Sequence, residues 1–178
     1  MLLKGDKLHL RALEPEDIDV FTEIENNTEL WACSSTNVPY SRFAIRNFIS
    51  STANDIYADK QVRLVACGNE NHVPMAFADI TDFDPRHKRA QVGIVVFPSH
   101  RNCGIGTEVL SMLDEYARRV VELHTLYAVV AKDNGPSRRL FASAGYREVA
   151  LLPQWLFVEG QYADAVVAEK IFEEHTPG

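Results

Sequence analysis

Apolar and polar residues change period repeatedly along this chain, and each change marks an element. KLHLRAL, residues 7–13, alternates apolar with polar and predicts a strand. Glu14-Pro15 then opens a helix with Ile18, Phe21 and Ile24 at helical spacing, closed by Asn26-Asn27. A second helix is expected from about Ser41 to Tyr57, where Phe43, Ile45, Phe48 and Ile49 supply the apolar positions. QVRLVAC (61–67) and PMAFADI (74–80) read as strands joined by the turn-like GNENH. After the polar break TDFDPRHK, the β-branched run RAQVGIVVF (89–97) predicts a strand that Pro98 ends. From Gly104 a helix carries Val109, Leu110, Leu113, Ala117, Val120 and Val121 on one side. TLYAVVA (125–131) is a short strand. Asp133-Asn134 starts a further helix, with Pro136 in its first turn, Leu140 and Phe141 inward, and Gly145 at its end. Residues 146–152 and 162–172 predict closing strands, linked by the turn at Glu159-Gly160. The order βααβββαβαββ is that of an α/β protein with a mixed sheet.

Composition narrows the picture. The 178 residues suit one domain over 1–178, and no linker or repeat divides them. No apolar run is long enough to cross a bilayer, and the N-terminus lacks the pattern of a signal peptide. Cys33, Cys67 and Cys103 are an odd, scattered set, which argues against a disulfide framework and for the cytoplasm. A net charge of −7 disfavours nucleic acid as the main partner. The histidines, His87 and His100 among them, show no paired metal spacing, so no metal is expected.

The most informative stretch is HRNCGIGTEVL, residues 100–110. Glycines let backbone approach a ligand closely, and the first amides of the following helix have no internal partners. Those amides and the helix dipole favour a phosphate, to which Arg101 adds a charge. The P-loop pattern fails because no lysine follows Gly106. The dinucleotide fingerprint fails because Val109 stands where its third glycine belongs.

Arg-x-x-Gly-x-Gly after a strand and a proline resembles the pyrophosphate motif of the GNAT superfamily of N-acetyltransferases, which hold acetyl-CoA. The resemblance extends through KDNGPSRRLFASAGYREV (132–149), which is similar to the family's second signature. It includes Arg11 and Asp17 of the opening strand and entry helix, and Gly160, Tyr162 and Asp164 of the C-terminal turn and strand. Nearly the whole chain is covered, in the family's order. The chain looks most like the branch of ribosomal-protein N-terminal and spermidine acetyltransferases.

The resemblance implies a mostly antiparallel mixed sheet flanked by helices, and a site for acetyl-CoA. Backbone of Ile94, Val95 and Val96 would pair with the pantetheine arm. Amides of Arg101, Asn102, Cys103, Gly104, Ile105, Gly106 and Thr107 would hold the pyrophosphate, and Asn134 would reach the arm. Cys103 reads as a loop residue open to oxidation, not as a nucleophile. Many relatives carry a glutamate where Gln91 stands and a tyrosine where Phe141 stands, and neither replacement can carry out acid–base chemistry. Ser137 is the remaining acid candidate, weighed against a first-turn serine that only satisfies the helix start. Asp79, Asp82 and Glu159 are the base candidates, each weighed against a solvated carboxylate. Trp31, Asp82 and Trp155 are expected around the acceptor.

The expected activity is acetyl transfer from acetyl-CoA to a primary amine by direct attack, the acceptor being a protein N-terminus, a polyamine or another small amine. Glu23, Glu25 and Glu29 would attract a polycation or merely form a solvated helix face. The alternative is a coenzyme-A-binding sensor or partner module with little catalysis. Transfer of a longer acyl group stays open, and the resemblance implies a homodimer.

Overall fold

The computed structural model describes residues 3–31, 38–53 and 55–173. Seven strands form one mixed sheet: β1 (Leu8–Ala12), β2 (Val62–Gly68), β3 (Pro74–Asp84), β4 (Arg89–Val96), β5 (Thr125–Ala131), β6 (Arg147–Val158) and β7 (Gln161–Ile171). Their spatial order is β1-β2-β3-β4-β5-β7-β6. Among the described residues only β4 and β5 are parallel; every other neighbouring pair is antiparallel. The described helices are α1 (Ile18–Glu25), α2 (Thr28–Trp31), α3 (Arg42–Ser51), α4 (Ile56–Asp59), α5 (Ile105–Arg119) and α6 (Gly135–Ser143).

Helices cover both faces, so the central strands are buried on both sides and lose the clean alternation of a one-sided sheet. On one face Leu64, Ala78, Val92 and Leu126 pack with Val109, Leu113 and Phe141 of α5 and α6. On the other, Val65, Phe77 and Phe97 pack with Phe21, Ile24 and Ile45 of α1 and α3. The turn from β1 into α1 is fixed by Arg11, whose guanidinium donates to both oxygens of buried Asp17 at 2.7 and 2.8 Å. Asp17 also accepts the Glu14 N–H at 2.9 Å. Burial pushes the Asp17 carboxyl up, but Arg11 and the Glu14 amide outweigh it and hold the group below the usual range.

Four local expectations change. The single helix over 41–57 is two, because Ser51 and Thr52 hydroxyls bond back to the Phe48 carbonyl and Asp55 caps a new start. β3 runs on through the supposed break to Asp84, absorbing TDFD in a bulge at which Asp82 takes a φ of +51°. β6 continues past residue 152 to Val158, its ladder shifting around Pro153 and Gln154. Val120 lies beyond the last turn of α5 and is exposed. Cys33 falls outside the described residues, while Cys67 is buried, Cys103 exposed, and both are free. Among the described residues, no helix is long and apolar enough to cross a membrane.

Candidate active site

β4 and β5 pair at only three positions, Arg89 with Thr125, Ala90 with Leu126 and Gln91 with Tyr127. Beyond that vertex β4 stays paired with β3 as far as Val96, but among the described residues no strand pairs with its other edge. Ile94, Val95 and Val96 therefore lie on an open edge, which an extended ligand can join as an added strand. The split opens into a cavity of about 1050 Å³, lined by Ile94 and Val95 on β4, Val129 to Ala131 on β5, and Asn134 and Ser137 at the start of α6. That is large for a small-molecule site.

At the open end of the split stands the glycine loop. Pro98–His100 form one 3-10 turn, and Arg101 folds back so that Nε donates to the Val96 carbonyl at 3.3 Å. Asn102 has φ +59°, Cys103 Sγ donates to the Arg101 carbonyl, and Gly104 caps α5 at φ +79°. That angle disfavours any L side chain at Gly104. Ile105 is buried and anchors the loop to the core. The first helical bond across the cap runs from Glu108 N–H to the Gly104 carbonyl at 3.2 Å. The amides of Ile105, Gly106 and Thr107 come before it and are the orphan donors of a helix start. A Cβ on Gly106 would lie 3.2 Å from Leu140 Cδ2, so the second glycine lets α5 and α6 close together. Lys7, just before β1, brings its ammonium 3.9 Å from the Cβ position of Gly104 and adds a cation beside the loop. These open amides, bare glycines and cations suit a pyrophosphate, and the unpaired β4 edge suits the arm that follows it.

Asn134 caps α6, its Oδ1 accepting the Ser137 N–H at 3.2 Å. Phe141 is buried, edge-on to Tyr146 with ring centres 5.1 Å apart. On the other side of the split the cavity reaches α1 and α3. There Arg63 of β2 donates to both oxygens of Asp79, at 2.6 and 2.8 Å, and to Glu25 Oε1 at 2.5 Å. Its guanidinium lies over Phe21 and Phe77, 5.0 and 5.7 Å from the ring centres. Burial works against the charge, but Asp79 and then Glu25 outweigh it and raise the guanidinium above its ordinary value.

A family model of the acetyltransferase (GNAT) domain matches residues 7–147. The chain belongs to the GNAT acetyltransferase family. It is accordingly an acetyl-CoA-dependent N-acetyltransferase. Over 181 residues it is 24% identical to the spermidine N(1)-acetyltransferase of Escherichia coli K12, covering 95% of this chain and 91% of the relative. It is 30% identical over 114 residues to an L-methionine sulfoximine/L-methionine sulfone acetyltransferase of Salmonella typhimurium, covering 62% of this chain and 66% of the relative. The fold matches the crystal structure of spermidine N-acetyltransferase from Vibrio cholerae in complex with CoA and spermine. The TM-score is 0.84 at 21% identity, covering 94% and 96% of the two chains.

Within this GNAT domain the cavity gathers Gln91, Ile94, Val95, Asn134, Ser137, Phe141, Asp79, Asp82 and Trp155 at its walls. Val96 ends the open edge, and Arg101 to Thr107 form the loop beyond it. Trp31 and Glu159 are not among the lining residues. The Trp31 indole donates to the Glu25 carbonyl at 2.8 Å, and Glu159 sits in the β6–β7 turn at φ +50°. Both Asp79 oxygens accept from Arg63, which removes the carboxylate from the set of unpaired bases. Arg63, Tyr127 and Lys7 join the site without a motif of their own in the sequence. Arg63 did leave a signal: a charged residue inside an apolar strand needs a buried partner.

Proposed function

We propose that the chain acetylates a primary amine of a polyamine-like cation, by direct attack of the neutral amine on acetyl-CoA. Acetyl-CoA supplies the activated acetyl group as a thioester. The observation that carries the acceptor class is the charge of the cavity wall. Its charged lining residues are Glu25, Asp79 and Asp82 against Arg63 alone, two negative charges in excess. Phe21, Phe48, Tyr40 and Trp155 surround them and favour an organic cation. An amino acid acceptor would bring a carboxylate, and Arg63 already holds two. The polyamine acceptor named for the Escherichia coli relative therefore fits this cavity better than the amino acid analogues named for the Salmonella relative.

In this reading the Ile94–Val96 edge holds the pantetheine arm and the 101–107 amides hold the pyrophosphate. Asn134 reaches the arm, and the Ser137 hydroxyl hydrogen-bonds near the sulfur. Holding both reactants in one cavity supplies a large part of the rate. The chain works as one domain in the cytoplasm. A homodimer is supported by the edge strand β6, where Trp155 and Phe157 are 61% and 66% exposed and a second copy would cover them.

Thiol release from acetyl-CoA, assayed with spermidine, an N-terminal peptide and an aminoglycoside, tests the reading. Saturable release with spermidine is expected; turnover with the peptide alone would overturn the acceptor assignment. The second reading, a coenzyme-A-binding module, is favoured by Gln91 and Phe141, and binding without release on any amine would establish it.

A further inference from the structure

Acetyl transfer needs a proton for the leaving sulfur, and neither Gln91 nor Phe141 carries one to give. We propose that Tyr127 of β5 is the proton donor of the reaction. The inference rests on the acetyl-transfer reading of the site.

Tyr127 is the last residue of β5 paired with β4, opposite Gln91, so it stands at the vertex of the split. Cross-strand partners share a sheet face, and the row Thr81, Gln91, Tyr127 points the same way as the row Arg63, Asp79, Gly93. That is the face toward α1 and α3, where the acidic half of the cavity lies. A ligand arm that starts at the glycine loop and follows β4 inward passes Val96 first and the vertex last. From Val96 to Gln91 is roughly 16 Å of strand at ~3.3 Å per residue. The reacting end of such an arm therefore comes nearest Tyr127, which the cavity wall includes. Gly93, one row nearer the mouth, has no side chain to block that approach; a Cβ there would meet only Asp79 Cβ at 4.0 Å.

The surroundings keep the phenol protonated. Burial and then the Asp82 charge push it above its ordinary value, while Arg89 pulls the other way. Asp82 is brought close by the bulge in β3. The other charged groups facing this position are Glu169, the register partner of Tyr127 on β7, and Arg147, which lies opposite Glu169 on β6. Beyond them is the Arg63–Asp79 pair one row along. From α1 the cavity receives Glu25, and from α3 and its C-cap it receives Phe48, Ile49 and Thr52 but no charge.

The balance of the step is simple. The amine nitrogen forms the N–C bond as the C–S bond breaks. Tyr127 gives its phenol proton to the sulfur. The proton that nitrogen loses returns to the phenolate, directly or through water.

Tyr127→Phe should lower kcat by about 100-fold, within the usual span for a general acid, while leaving the Kd for acetyl-CoA unchanged. It should also abolish the alkaline limb of the kcat profile, and Asp82→Asn should move that limb to lower pH. A readout independent of turnover is NMR of the ring-13C-labelled protein, with the Tyr127 signal assigned from its loss in Tyr127→Phe. Coenzyme A should shift that signal, whereas 3′-phosphoadenosine diphosphate, which lacks the arm, should not. An unmoved signal would overturn the assignment. So would wild-type kcat in Tyr127→Phe, or loss of the alkaline limb in Ser137→Ala instead. If the wild-type chain turned over no amine, the reading beneath the inference would fail. The NMR response would still report whether the phenol meets the arm.

Discussion

The two halves of the cavity are built in different ways. The cofactor half is local: one strand edge, one glycine loop and the first turns of α5 and α6, all within residues 89–145. The acceptor half is assembled from afar, since Arg63 meets Asp79 16 residues on and Glu25 38 residues back. Backbone does the work in the first half, so side-chain identity matters mainly at the glycines. Side-chain charge does the work in the second, so single substitutions there should retune the acceptor without touching the cofactor.

The largest effect is expected at the loop. Gly104→Val places a β-branched residue at φ +79° and should weaken acetyl-CoA binding about 100-fold or more, since strain of ~1–2 kcal/mol adds to the lost close approach. Calorimetry on the folded variant checks this, and unchanged binding would break the backbone account of that half.

The Arg11–Asp17 corner, which sets the entry to α1 and thus Glu25, comes next. Asp17→Ala should cost about 2 kcal/mol in urea unfolding, less than a fully buried pair because Arg11 is partly exposed. The folded Asp17 carboxyl is held below its ordinary value. Its stabilisation is therefore complete above that value and is lost as pH falls through the lower folded one. Asp17→Asn should flatten the loss of stability of the wild type below about pH 4, measured by thermal unfolding across acid pH.

A smaller effect should separate the halves most cleanly. Glu25→Gln removes one of the excess negative charges and should raise the amine KM about threefold to tenfold. The acetyl-CoA affinity should stay the same. A shift in both constants would mean the halves are not independent. The smallest effect is that of salt: spermidine KM should rise with ionic strength in the wild type, and rise less in Glu25→Gln.

The same contrast explains what the sequence made legible. The loop, the strand before it and the Asn134-capped helix declared themselves through contiguous residues, and Arg11 and Asp17 through the family resemblance. Asp79 looked like an unpaired carboxylate because nothing near it in sequence announces Arg63. Tyr127 looked like one more apolar strand position, since its meaning comes from the three-residue pairing of β4 with β5. The polar stretch TDFD and the residues after 152 stay inside β3 and β6 for a related reason: bulges let polar residues and proline remain in a strand when neighbouring strands hold the ladder.

The central claim is that the split between β4 and β5, with the glycine loop at its mouth, is an acetyl-CoA site. Calorimetric titration of the wild-type chain with acetyl-CoA tests it most directly. Saturable one-to-one binding that Gly104→Val weakens about 100-fold or more is the predicted result; a wild-type chain that releases no heat and binds no acetyl-CoA would contradict it.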